Sequence, residues 1–318
     1  MKALARSFLQ FLWTSYKFLI LRHLYDMQDT WFLWNLRNHH SRKLQAEHPL
    51  PLSAVAARIV EDLTRDGISI VPIEELLPGT TWFQDLTRYG MECERSSFQN
   101  TRKTYWIEMW DPKHFLVDLQ NPFVRFAVLP EILAIANAYI GMYVRLHSIS
   151  LSKTIPVAPG TPAIQSQQWH RDIGNKKYLK VFTYFNDIEK DDGPFIYLKG
   201  SQPGGKWEHF SPQINPFTPV PGRVPDSVVS EAIPPADILH ATGKAGTLIF
   251  ADTTGLHKGG YSTGNPRLAS IITLQSEKTL ERRKGRDSQR YPVDFEQSVR
   301  DLPLAAHFAL KRPKRRIF

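Results

Sequence analysis

Cysteine is almost missing from the chain: Cys93 is the only one among 318 residues. A single thiol closes no internal disulfide and supplies no CxxC metal clip. A chain without a disulfide framework suits a reducing compartment. Glu92 and Glu94 flank Cys93, and acids raise a thiol pKa, so it reads as a small packed residue and not as a nucleophile. Acidic residues are also in deficit, 31 against 40 Lys and Arg, which leaves a net charge of +9. No long apolar run is present. The most apolar stretch, Ser7 to Leu21 (SFLQFLWTSYKFLIL), contains Lys17 and falls short of the ~20 residues that a bilayer span needs. No small-residue cleavage site follows it, which argues against a signal peptide. Internal repeats and low-complexity tracts are absent as well.

What remains is an ordinary globular balance, 42% hydrophobic and 22% charged, enough for a substantial core. Apolar residues recur at helical spacing from Leu4 to Leu19 with basic residues between them. That segment suits a helix paired with the aromatic stretch Trp31–Leu36, or a helix lying in a membrane interface through residues 1–40. Two basic clusters, Arg282–Arg290 and Lys311–Arg316, suit anionic partners or a solvated tail. No specific nucleic-acid partner is implied. A cytoplasmic location follows, with peripheral membrane contact as the open addition.

The periodicity predicts a helical, aromatic-rich extension over residues 1–50 and a main domain over 51–318. Helices are expected at 54–65 (stopped by Gly67), 82–92 and 130–140, and a short strand at 68–73. From Met142 on, short segments rich in Val, Ile, Phe and Tyr appear at 143–153, 178–188, 194–200, 246–252 and 267–276, bounded by Gly, Pro and Asp. No long helix separates them, so they read as antiparallel strands of a β-rich (α+β) jelly roll. The Pro-rich stretch 203–240 reads as an inserted loop, of a length that is usually functional.

The chemistry concentrates in Trp169-His170-Arg171-Asp172. Side chains two apart on a strand share a face, so His170 and Asp172 present a nitrogen and an oxygen together. His257 follows the strand GTLIFAD. Two histidines and one carboxylate make the facial triad of non-haem iron(II) oxygenases, which leaves metal positions open for a 2-oxo acid and dioxygen. Arg267, ten residues beyond His257 at the start of the next strand, can grip the far carboxylate of that co-substrate. His240 competes for the distal ligand position, but lacks the arginine after it.

The motifs SISLSK, QQWHRD, VFTYFNDIEKDDGPFIYLKGSQ and LHKGGYSTGNPR, with DGISIVPIEEL near 66–76, resemble the phytanoyl-CoA dioxygenase family over roughly residues 55–280. The resemblance implies a double-stranded β-helix jelly roll flanked by N-terminal helices. It implies His170, Asp172 and His257 as ligands of Fe(II) and Arg267 as the anchor of 2-oxoglutarate, with O2 as oxidant and ascorbate as an accessory reductant. Lys153, Phe182 and Thr183 match positions that line the co-substrate pocket. The family's PGSH is KGSQ here (199–202), which loses a histidine that is not a ligand. Arg171 stands where many members carry glutamine, and is expected at the substrate mouth. Asp172 is retained, which disfavours halogenation. The expected function is hydroxylation, or a related oxidation, of a small-molecule or lipid-like substrate, anionic or lipid-linked. Two alternatives stay open: a non-catalytic, cupin-like metal-binding jelly roll, and a peripheral membrane or polyanion-binding protein.

Overall fold

The computed structural model describes residues 31–100, 105–110, 118–172, 174–210, 223–278 and 291–311. The apolar segment 7–21, the basic cluster 282–290 and residues 312–316 therefore lie outside the described residues.

Helices α1 (Trp31–Arg37) and α2 (His39–Glu47) dock on the domain and do not stand apart from it. Trp34 is buried, and its indole N–H donates to Asn175 at 3.1 Å. Helix α3 (Ala54–Asp66) begins where the Ser53 hydroxyl accepts the Ala56 amide at 3.2 Å. It ends at Gly67, whose φ of 77° is the left-handed cap that glycine tolerates. A Cβ there would also lie 2.4 Å from the Tyr197 hydroxyl, so the position needs glycine twice over.

Two antiparallel sheets follow. The larger runs β1 (Ile68–Pro72), β8 (Thr247–Asp252), β5 (Tyr178–Tyr184), β10 (Arg267–Gln275), β4 (Arg145–Thr154), β3 (Ile107–Trp110) and β2 (Phe98–Asn100). The smaller runs β7 (Ile238–Ala241), β6 (Phe195–Leu198) and β9 (His257–Gly259). Two isolated bridges, His170↔His257 and Trp169↔Val224, extend the smaller sheet beyond β9. Within 203–240, residues 226–232 form a helix and 238–241 a strand, so that stretch carries more regular structure than its proline content suggests.

Period-two alternation gives the large sheet two different faces. Leu179, Val181, Leu248, Phe250, Ile272 and Leu274 turn outward onto the helices, including α3 and a second helix over Pro130–Ile140. Phe182, Tyr184, Ile249, Ala251 and Ala269 turn inward, against Phe195 and Tyr197 of the smaller sheet. A third cluster, with Trp169, Leu198, Val224 and Leu256, covers the outer side of the smaller sheet. Each fully buried Val, Leu, Ile or Phe among these contributes about 1.5–3 kcal/mol. Cys93 belongs to the helix-side core, and burial followed by Glu92 pushes its thiol up to about 11.

Candidate metal centre

His170, Asp172 and His257 converge at the end of the space between the sheets. Each offers one ligand atom, and these atoms all lie within 4.8 Å of one another. The backbone brings them together: the His170 amide donates to the His257 carbonyl at 2.8 Å, and the reverse bond is 2.9 Å. The Asp172 amide donates to the Thr253 carbonyl at 2.8 Å. The two imidazole centroids are 4.3 Å apart.

Both rings are held in one tautomer. His170 Nδ1 lies 2.9 Å from the Gln168 carbonyl, and His257 Nδ1 lies 2.9 Å from the Gly255 carbonyl. A carbonyl only accepts, so each Nδ1 carries the proton and each Nε2 keeps its lone pair. Burial, with the Arg223 guanidinium next, pushes His170 down to about 4. Burial and His170 lower His257 as well. Burial alone would raise Asp172, but Lys180 and His257 outweigh it and hold the carboxyl far below its usual range. At neutral pH the site is two neutral imidazoles and one carboxylate, the protonation states that bind a metal.

The turn before His257 is built around Asp252, which is fully buried. Its carboxylate accepts the Tyr139 hydroxyl at 2.7 Å, the Thr254 hydroxyl at 2.7 Å and the Thr254 amide at 3.0 Å. Tyr197 donates to the Asp252 carbonyl at 2.7 Å. Ser201, of the KGSQ segment, accepts the Leu256 amide at 2.7 Å.

Arg267 is buried on the inner face. Its Nε and Nη1 are buried without a hydrogen-bond partner among the described residues. A methyl on Gly259, two residues beyond His257, would sit 3.8 Å from that Nη1. The arginine thus reaches toward the His257 strand with donors that await an acceptor. Phe182 shares this side, with its ring 4.6 Å from Phe195, whose ring is 5.4 Å from His257.

Two expected pocket residues are not brought to the site. Lys153 pairs in register with Leu268, on the helix-facing side, and its ammonium meets Glu94 at 2.7 Å. Thr183 lies opposite Leu248 and Ser270, also on the helix-facing side. It directly follows Phe182, so the pleat sends the two side chains apart. Arg171 is likewise not at a mouth. Its guanidinium reaches the carbonyls of Ser201, Thr254, Trp207, Glu208 and Phe210 and clasps that loop onto the turn before His257. His240 is exposed and stands opposite Ile196, which packs with the outer cluster.

Two cations at the site carry no motif in the sequence, Lys180 and Arg223. Lys180 donates to Asp172 Oδ2 at 2.5 Å. It is the only charged residue of YLKVFTY and shares a face with Phe182 and Tyr184, so alternation alone would have found it. Arg223 has no comparable signal in sequence.

No protein-family model matches the chain, and no curated protein sequence does. Solved structures match across most of it. The epimerase SnoN, in complex with Fe3+, alpha ketoglutarate and nogalamycin RO, superposes with a TM-score of 0.50 over 71% of this chain and 85% of that one, at 16% identity. The fold is a double-stranded β-helix. EctD from S. alaskensis with bound Fe gives 0.48 at 16% identity, over 81% of this chain and 87% of that one. HygX from Streptomyces hygroscopicus, with nickel and 2-oxoglutarate bound, gives 0.47 at 15%, over 73% and 91%. In this double-stranded β-helix the converging side chains lie at one end of the barrel, between the two sheets.

Proposed function

We propose that the protein is an Fe(II)- and 2-oxoglutarate-dependent oxygenase of the phytanoyl-CoA dioxygenase type, which hydroxylates or otherwise oxidises a small-molecule or lipid-like substrate. The observation that carries the reading is the juxtaposition of two neutral, carbonyl-backed imidazoles and a carboxylate with an arginine whose buried Nε and Nη1 lack partners among the described residues. The donor set fits iron: two nitrogens and one oxygen leave positions open on the metal. The orphaned Arg267 donors fit a carboxylate, which a guanidinium binds with paired hydrogen bonds. A neighbour of the same fold, the epimerase SnoN, is a complex with Fe3+ and alpha ketoglutarate. Arg267 also argues against a non-catalytic metal-binding jelly roll, which has no use for it.

His170 and His257 would supply Nε2, and Asp172 an oxygen, while Arg267 holds the distal carboxylate of 2-oxoglutarate. When bound, iron and 2-oxoglutarate activate dioxygen and supply the oxidising chemistry. The chain orients both: Gln168 and Gly255 fix the rings, Asp252 shapes the turn, and Phe182 and Phe195 keep one wall dry. Anaerobic calorimetry tests this. The wild type should take up Fe(II) and then 2-oxoglutarate, and Arg267→Gln should lose about 2–4 kcal/mol of 2-oxoglutarate affinity through two charge-assisted bonds. An unchanged affinity would remove Arg267 from the site.

Exposed Trp31, Phe32 and Leu36 on α1 support a second element of the proposal, membrane-surface contact through residues 1–40. Among the described residues no helix is long and apolar enough to cross a membrane. Co-sedimentation with anionic vesicles should fall on removal of residues 1–40, and an unchanged fraction would discard the contact.

A further inference from the structure

Arg223 acts in the centre only through its charge on His170, yet the backbone aims it there. The Val224 amide donates to the Trp169 carbonyl at 2.9 Å, in the Trp169↔Val224 bridge. One step along that antiparallel pair, Arg223 stands opposite His170, and His170 in turn stands opposite His257. Residues opposite one another in an antiparallel pair point to the same face. Trp169 and Val224 turn to the outer cluster with Leu198 and Leu256. Arg223 therefore turns inward, with the two histidines. Its Nη1 is buried and lacks a hydrogen-bond partner among the described residues, and a buried guanidinium donor left unpaired is costly.

The charge of the inner space points the same way. Among the described residues discussed above, Lys180, Arg223 and Arg267 face it as cations and Asp172 as the carboxylate. A divalent metal and the dianion 2-oxoglutarate cancel each other, so a positive surplus remains for something else to neutralise. The wall is also polar. Ser148, Ser150 and Ser152 stand opposite Thr273, Ile271 and Ala269, and so share the inward side with Ala269. Hydroxyls in that row suit a hydrogen-bonding ligand better than an aliphatic chain.

We propose that Arg223 is the anion-recognising residue of the substrate subsite, and that the substrate carries a carboxylate or phosphate held beside the His170–His257 pair. Arg267 keeps the co-substrate, so the two arginines divide two anions between them. The inference rests on the oxygenase reading for what the ligand is, but not for the existence of the anion site.

The test is anaerobic calorimetry on the full chain loaded with Fe(II) and 2-oxoglutarate, titrated with inorganic phosphate and, separately, with acetate. The two probes distinguish a phosphate site from a carboxylate site. The wild type should bind at least one. Arg223→Gln should weaken that binding about tenfold or more, and Arg223→Lys should lose less. The 2-oxoglutarate affinity of Arg223→Gln should stay within about twofold of wild type, which also shows that the variant folds. Binding of neither anion, binding unchanged in Arg223→Gln, or a 2-oxoglutarate loss equal to that of Arg267→Gln would each overturn the proposal. If the wild type takes up no 2-oxoglutarate, phosphate binding to the unloaded chain that Arg223→Gln abolishes would keep the anion site and remove the oxygenase reading instead.

Discussion

Replacing Arg171 with methionine should loosen the candidate centre without touching any group in it. Arg171 sits between His170 and Asp172 but turns the other way. Nη1 donates to Ser201 at 2.5 Å and Thr254 at 2.9 Å, and Nη2 to Glu208 at 3.1 Å, with Trp207 and Phe210 at 3.3 Å. A hydrogen bond from a charged group contributes about 1.5–3 kcal/mol. Five acceptors share two nitrogens, and the two longest contacts exceed the usual range, so the bonds do not add fully. Methionine keeps much of the stem's packing and none of its donors. The cost is about 3–5 kcal/mol, that of roughly two such bonds. For a chain of this length that lowers Tm by about 4–8 °C. Calorimetric melting of the metal-free protein reads the loss, and limited proteolysis should place the new cleavage within 201–210. Thr254 lies three residues before His257, so Fe(II) affinity should also fall by about 10–100-fold, as when a residue supporting a ligand is lost. A Tm within about 1 °C of wild type, with an unchanged proteolytic pattern, would refute the clasp.

A methyl at Gly255 would lie 1.9 Å from the Tyr197 hydroxyl oxygen and 2.9 Å from Ser201 Oγ. Gly255→Ala should therefore displace Tyr197 and cost about 3 kcal/mol in urea unfolding, and a cost under about 1 kcal/mol would contradict the close packing. The histidines set a pH dependence. Burial holds the folded-state pKa of His170 at about 4, below the ordinary 6.5, and lowers His257 in the same sense. Below about pH 6.5 the unfolded chain takes up protons that the folded chain refuses, so the metal-free protein should lose stability steadily down to about pH 4, with up to about 3 kcal/mol from His170. Asp172 is held low, so its own contribution persists across that window and fails only below it. Urea midpoints that stay level or rise between about pH 7 and pH 4.5 would oppose this account. Lys153→Met should leave 2-oxoglutarate affinity within about twofold and cost no more than about 1 kcal/mol for the lost Glu94 pair. A tenfold loss of affinity would return Lys153 to the pocket.

Much of the fold was legible where local chemistry decides it. Ser53 and Gly67 bracket helix α3 as capping rules require, and the helix at 130–140 runs over Pro130–Ile140. The five expected strands lie at Arg145–Thr154, Tyr178–Tyr184, Phe195–Leu198, Thr247–Asp252 and Arg267–Gln275. What escaped was set by distant partners. β2, β3 and β9 are three or four residues long, too short to show a period. The helix Leu304–Leu310, beside the basic end, buries Ala305, Phe308 and Leu310 in the helix-side core. In the site, strand ends and spacing mark His170, Asp172, His257 and Arg267 in the sequence, and the fold brings the first three within 4.8 Å of one another. Grouping Phe182 with Thr183 overlooked the pleat, which separates neighbours. Arg171 was misplaced because its carbonyl partners lie 30–83 residues away in sequence. Arg223 was invisible because only the Trp169↔Val224 bridge gives it a register.

The measurement that bears most directly on the oxygenase assignment is succinate formation from 2-oxoglutarate by the full chain, given Fe(II), ascorbate and air, beside Asp172→Ala. Slow turnover without the true substrate needs no knowledge of that substrate. The account predicts succinate from the wild type and none above background from the variant. No succinate from the wild type, together with no uptake of Fe(II) or 2-oxoglutarate in calorimetry, would contradict it.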